Sequence, residues 1–101
     1  MLFRSSILMD DVSLGPACVL QNSVVGMGAR LAAGALGAAG TADAYIEGEW
    51  HRVPDAGVFI GEDARLGGGV VLAPGVIVGA RVQAAPQATL RGSIPDGALV
   101  V

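Results

Sequence analysis

Aromatic residues supply only 4% of this 101-residue chain, lysine is absent, and there is one cysteine, Cys18, and one histidine, His51. Each scarcity excludes something. A core of this size normally leans on large rings. Here an apolar share of 52%, built mostly of Ala, Val, Leu and Ile, must instead pack many small side chains in a regular geometry. Cys18 has no second thiol to pair with. A three-histidine zinc centre cannot be assembled from His51 alone, so no metal is expected. The six bases, all arginine, are scattered among nine acids, for a net charge of -3. Nucleic acid is therefore not an expected partner, because phosphate binding needs a basic face. A mean hydropathy of +0.61 is too high for a disordered chain.

Long apolar runs are missing as well. Ile7-Leu8-Met9 meets Asp10-Asp11 before it could form the core of a signal peptide. The uncharged stretch Leu66 to Ala80 is broken by Pro74 and several glycines and is too short to span a bilayer. No membrane partner is expected, and the chain reads as one soluble, cytoplasmic domain over residues 1–101. The 16 glycines argue against a helical bundle, where each interior glycine costs about 1 kcal/mol relative to alanine.

What the chain does have is a period of six. Ile60, Leu66, Leu72, Val78, Ala84 and Leu90 stand six apart, and four residues after each come Ala64, Val70, Val76, Val82, Ala88 and Ile94. All twelve are apolar, and Gly or Ala follows the aliphatic in five of the six repeats. The amino-terminal third carries the same spacing at Leu2, Leu8, Leu14 and Leu20, with Ser6, Val12, Cys18 and Val24 as partners. A step of five then reaches Val25, and a step of six Leu31, with Ala29 and Ala35 as partners. Six is neither the period of a helix nor a long simple alternation. A short strand followed by a bend satisfies it, and three such units close a triangular coil of 18 residues that stacks on the next about 4.8 Å away. The sequence thus predicts an all-β parallel β-helix of about four coils, in residues 2–36 and 60–95. General chirality favours a right-handed crossover, and the period alone does not set the hand.

Residues 37–59 break the period. Ala44-Tyr45-Ile46-Glu47 and Trp50-His51-Arg52-Val53 flank Gly48-Glu49, which reads as a β-hairpin with a Gly-X loop and a type II′ turn. Interruptions of a solenoid tend to gather on one face, often the binding face.

The stretch VFIGEDARLGGGVVLAPGVIVGARVQAAPQATLRGSIPDGALVV resembles the carboxy-terminal β-helix of sugar-1-phosphate nucleotidyltransferases, including the bifunctional enzymes that acetylate glucosamine-1-phosphate. The earlier stretch SSILMDDVSLGPACVLQNSVVGMGARLAAGAL is similar to the coils before that family's inserted loop, down to the shortened step at NSVVG. The resemblance implies a left-handed prism, a homotrimer and ligands held between subunits. It also implies a His-x-x-Tyr acetyltransferase motif, yet Pro16 and Val19 stand at the matching positions, so the general base is missing there. The family's nucleotidyltransferase domain has no counterpart in this chain.

Two readings follow. One is a trimer-forming module without chemistry of its own. The other is an acyl-coenzyme A dependent acetyltransferase acting on a sugar phosphate or sugar nucleotide, with acetyl-coenzyme A as cofactor. On the second, His51 is the candidate base, as the one side chain whose ordinary pKa suits proton transfer near neutrality. The candidate ligand-binding residues are Asn22, Tyr45, Trp50, Arg52, Gly68 and Pro86. Of these, Tyr45 and Trp50 could stack on a base or sugar, and Gly68 and Pro86 match the groove along which acetyl-coenzyme A runs in the acetyltransferase relatives. Each has a plainer role too: His51 as a solvated strand residue, Trp50 and Tyr45 as packing, and Cys18 as a buried, inert thiol. The acidic pairs Asp10-Asp11 and Glu62-Asp63 read as solvated turns.

Overall fold

The computed structural model describes residues 2–4, 6–37 and 40–101, the side chains of 2–4, 41–46 and 53–55 excepted. Among them the chain forms strands and turns and no helix. The first turn of the solenoid carries β1 (Leu2–Arg4), β2 (Ile7–Leu8) and β3 (Ser13–Leu14), and the second β4 (Val19–Gln21), β5 (Val24–Val25) and β6 (Arg30–Leu31). The third opens with β7 (Leu36–Gly37), leaves the stack as the hairpin β8 (Gly40–Ile46) and β9 (Glu49–Ala56), and returns as β10 (Phe59–Ile60) and β11 (Arg65–Leu66). The fourth is β12 (Val71–Leu72), β13 (Ile77–Val78) and β14 (Gln83–Ala84), and the fifth β15 (Thr89–Leu90), β16 (Ser93–Ile94) and β17 (Leu99–Val100).

These strands stack into three five-stranded parallel sheets. Face I is β1-β4-β7-β12-β15, face II is β2-β5-β10-β13-β16, and face III is β3-β6-β11-β14-β17. The fold is therefore a parallel β-helix of about five turns. The period suggested four, because it assigned the interrupted turn wholly to the break. Leu36–Gly37 and Phe59–Ile60 in fact close a full turn across the hairpin, and the last turn continues to Val100.

The period arises because each two-residue strand turns one side chain in and one out, and each corner then spends the remaining residues. Leu20, Leu72 and Leu90 point into the core from face I, Val25, Ile60 and Val78 from face II, and Leu31, Leu66 and Ala84 from face III. Smaller residues fill the corners: Cys18, Ala29, Ala35, Ala64, Val70, Val76 and Val82 are all buried. Amides and carbonyls of neighbouring turns satisfy one another along the stack, as in Phe59 N–H to Val76 O at 3.0 Å and Gly61 N–H to Val78 O at 2.8 Å. Glycine follows Ile60 and Leu66 because the next turn's backbone passes so close. A Cβ on Gly61 would lie 2.6 Å from the Ala80 nitrogen, and one on Gly67 the same distance from that of Pro86.

Three residues depart from the expected register, all where a corner is short. In the first turn Phe3, not Leu2, is the Cα partner of Leu20, so the step to Leu8 is five. After the five-residue step from Leu20 it is Ser23, not Val24, that is buried, and Val24 is only half-buried. Ile94 does not follow Leu90 as its corner partner. The last turn reaches face II two residues early, so Ile94 takes the aliphatic slot and pairs with Val78.

Candidate functional site

The three edges of the prism differ. Along the edge between faces II and III, pairs of turn residues stack as Asp10-Asp11, Met27-Gly28, Glu62-Asp63, Ala80-Arg81 and Asp96-Gly97. Along the edge between III and I come Pro16-Ala17, Ala33-Gly34, Gly68-Gly69 and Pro86-Gln87. Both edges keep the six-residue step. The edge between I and II does not: five residues separate Leu20 from Val25 and four separate Leu90 from Ile94, and in the third turn the whole hairpin replaces the corner.

The short corner beneath the hairpin is held by a small polar cluster. Asn22 adopts a left-handed conformation with φ 50°, which asparagine tolerates better than most residues. The Ser23 hydroxyl donates to the Gln21 carbonyl at 2.8 Å and accepts the Val58 amide at 3.3 Å. Its own amide donates to the Ser6 hydroxyl at 3.2 Å. A serine thus takes a corner position that valine holds at Val58 and Val76, and it supplies an acceptor to the chain re-entering from the hairpin. Gly57, at that re-entry, lies directly on the Asn22 carbonyl and has no room for a Cβ.

The hairpin is longer than the sequence suggested, and its turn is different. Its strands run from Gly40 and to Ala56, the loop is Glu47-Gly48, and both loop residues have positive φ (51° and 82°). That is the requirement of a type I′ rather than a type II′ turn. The register pairs Tyr45 with Trp50, Ala44 with His51 and Asp43 with Arg52. The Tyr45 side chain lies outside the described residues. Trp50, His51 and Arg52 are exposed, Trp50 at 73%. His51 Nε2 lies 3.9 Å from a carboxylate oxygen of Glu49, two residues away on the same side of the strand.

The candidate residues therefore fall into two groups. Trp50, His51, Arg52 and the backbone of Tyr45 stand on the hairpin, with Asn22 at its base on the I–II edge. Gly68 and Pro86 stack on the III–I edge, below and above one another, where Pro16 also lies. One chain does not bring the two groups together, and β8 and β9 pair only with each other. Cys18 is buried, and its thiol donates to the Ala32 carbonyl at 3.2 Å, which fits an inert side chain. The acidic turn pairs are exposed, and among the described residues no three metal-binding side chains gather. Among the described residues there is no helix long and apolar enough to cross a membrane.

No family model and no curated protein matches the chain. Solved structures do. The native serine acetyltransferase 1 of Entamoeba histolytica is 15% identical at a TM-score of 0.76, over 96% of this chain and 36% of that one. The E. histolytica serine acetyltransferase isoform 3 in complex with cysteine is 14% identical at a TM-score of 0.58, over 95% and 34%. A serine acetyltransferase in complex with CoA is 13% identical at a TM-score of 0.55, over 96% and 34%. This chain has the β-helix fold of these acetyltransferases. At such identities the likeness shows the fold alone, and the chain spans about a third of the length of the proteins it matches.

The outward residues separate the three faces. On face II, Ile7, Val24, Phe59 and Ile77 stand in register in four successive turns, with Ile7, Phe59 and Ile77 more than half exposed. On face I the corresponding ladder includes Val19, Leu36 and Val71. On face III it is Ser13, Arg30, Arg65 and Gln83 in the first four turns, ending in the exposed Leu99. The signal was available: each outward residue immediately precedes an inward aliphatic, and reading every third one sorts the faces.

Proposed function

We propose that the chain is a cytoplasmic β-helix module that assembles with copies of itself through its two apolar faces, and that its own Pro16–Val19 region performs no acetyl transfer. The observation that carries this reading is the in-register ladder Ile7–Val24–Phe59–Ile77 beside the apolar ladder of face I, against the ladder of face III, polar in its first four turns. Exposed apolar surface of that continuity marks an interaction site, and closed rotational symmetry is its usual outcome. The resemblance to the carboxy-terminal domain of sugar-1-phosphate nucleotidyltransferases supplies the stoichiometry of three. Light scattering is expected to give a trimer, and Phe59→Glu with Ile77→Glu to give a folded monomer. A monomeric parent at micromolar concentration would contradict the reading.

A second reading is favoured by one observation, the approach of Glu49 to His51 on an exposed hairpin that a bare spacer does not need. On it the chain is an acetyltransferase for a sugar phosphate or sugar nucleotide. Acetyl-coenzyme A would supply the acyl group, and the small residues Gly68 and Pro86 leave room for an extended ligand along their edge. His51 Nε2 would take the proton of the acceptor's amine or hydroxyl as that atom bonds to the acyl carbon, and the proton would then pass to the departing thiolate. Glu49 would orient the imidazole. Because His51 and the Gly68–Pro86 edge do not meet in one chain, this chemistry requires a neighbouring copy. Coenzyme A release that His51→Ala abolishes would establish this second reading, and no release from the assembled protein would remove it.

A further inference from the structure

Face III presents a pair of arginines that form no ion pair among the described residues. Arg30 and Arg65 are Cα partners in adjacent parallel strands, so their side chains leave the same face about 4.8 Å apart. Like charges placed directly opposite one another oppose folding, and neither guanidinium makes an ion pair or side-chain hydrogen bond among the described residues, the nearby acids lining only one side. Gln83 continues the ladder as the register partner of Arg65, and among the described residues its side-chain amide makes no hydrogen bond. The three side chains are exposed.

Two grooves meet at the arginines. One, of about 700 Å³, runs toward the II–III edge and is lined by the carboxylates of Asp11, Glu62 and Asp63 together with Arg30 and Arg65. The other, of about 340 Å³, runs toward the III–I edge and is lined by Arg30, Arg65, Gln83 and the small residues Ala32, Gly67 and Ala84, with no acid. An anion is repelled from the first and admitted by the second.

We propose that Arg30, Arg65 and Gln83 form a binding site for a diphosphate group, seated in the smaller groove. The reasoning is one of donor count. A single guanidinium fork satisfies a carboxylate, whereas two parallel forks and an amide match a ligand offering several anionic oxygens along its length. Arginine rather than lysine suits such a group, because its planar fork holds two oxygens at once. Ala32 and Gly67 keep the rim of the groove low, so the group can approach the sheet between the two guanidinium planes. The site stands whether or not the chain transfers an acyl group.

The test is calorimetric titration of the assembled protein with inorganic pyrophosphate at low ionic strength, for the parent, four single variants at exposed arginines and one double variant. Arg30→Gln and Arg65→Gln are each expected to weaken binding at least about tenfold, and the double variant to abolish it, with unchanged circular dichroism. Arg81→Gln and Arg91→Gln, whose charges lie off this ladder, are expected to bind as the parent does. Absence of saturable binding by the parent, or an equal loss in all four single variants, would overturn the proposal, the latter by showing attraction to net charge alone. Competition with coenzyme A and with a nucleoside diphosphate sugar separates the two sources of a diphosphate. Displacement by either supports the site and assigns its ligand, and displacement by neither overturns it.

Discussion

Two edges of the prism repeat and one does not. On the II–III and III–I edges each turn reproduces the last, with a left-handed residue closing the corner, glycine at some levels and Asp11, Ala17, Asp63, Arg81 or Gln87 at others. On the I–II edge the step shortens three times, from Phe3 to Leu8, from Leu20 to Val25 and from Leu90 to Ile94, and is once replaced by a hairpin. The difference teaches where a solenoid can be altered. A stacked turn needs its three inward aliphatics and its backbone ladder, and it tolerates loss or gain at one corner as long as the strands on either side keep their register. The altered corner then needs its own means of satisfying the backbone, and here Ser23 and Gly57 provide it.

The sharpest way to break the comparison is to attack the regular part. Val70 is fully buried on the III–I edge, between Ala35 of the turn below and Ala88 of the turn above, so Val70→Asp places an unpaired charge in the stack. A loss of at least ~4 kcal/mol is expected, enough to abolish the cooperative thermal transition. Next comes the hinge of the irregular edge. Gly57→Ala drives a methyl group onto the Asn22 carbonyl, and a cost of about 1–3 kcal/mol in chemical denaturation is expected, because two backbone segments and not a flexible side chain must move apart. Ser23→Ala should follow. It removes the acceptor of the buried Val58 amide and is expected to cost about 1–3 kcal/mol. A Ser23→Ala protein as stable as the parent would mean that the short corner needs no polar support.

How far the sequence disclosed this architecture depends on the edge. From Ile60 to Leu90 the period named every inward aliphatic, and Ala64, Val70, Val76 and Val82 are buried where it put them. It failed at Leu2, whose place in register with Leu20 is taken by Phe3, and at Val24 and Ile94 for one reason. Counting detects that a corner has lost residues but not which ones, so the inward position slips from Val24 to Ser23, and Ile94 moves from a corner slot to a strand slot. The turn count fell short because Leu36-Gly37 and Phe59-Ile60, separated by the hairpin, complete one turn only in three dimensions. Gly37 concealed this further. It fills a position that leucine holds in the turns on either side, and a Cβ there would come within 3.1 Å of Leu20 and 3.2 Å of Val58, whose side chains occupy the space instead. The hairpin itself was legible from Gly48, although its loop lay one residue earlier, at Glu47-Gly48. Of the candidate site, the sequence identified the hairpin residues but not the separation of His51 from the Gly68–Pro86 edge, since one-dimensional spacing does not say which edge of a prism a corner joins. The pairing of Arg30 with Arg65 was hidden likewise, because the insertion separates two residues that the stack makes neighbours.

The smallest effect is also the most direct test of the central claim, that a self-sufficient stack carries a hairpin grafted onto one edge. Residues 40–56 should be replaced by a short Gly-Ser link, leaving Gly57, Ser23 and Asn22 in place, and the product measured by light scattering and thermal denaturation alongside the parent. The account predicts the same oligomeric state, the same β spectrum of the stack and a stability within about 0.5 kcal/mol of the parent, since solenoid turns are stabilised by their neighbours and not by a loop on one edge. Dissociation or unfolding of the shortened chain would contradict it, and would make the hairpin a structural clamp between copies.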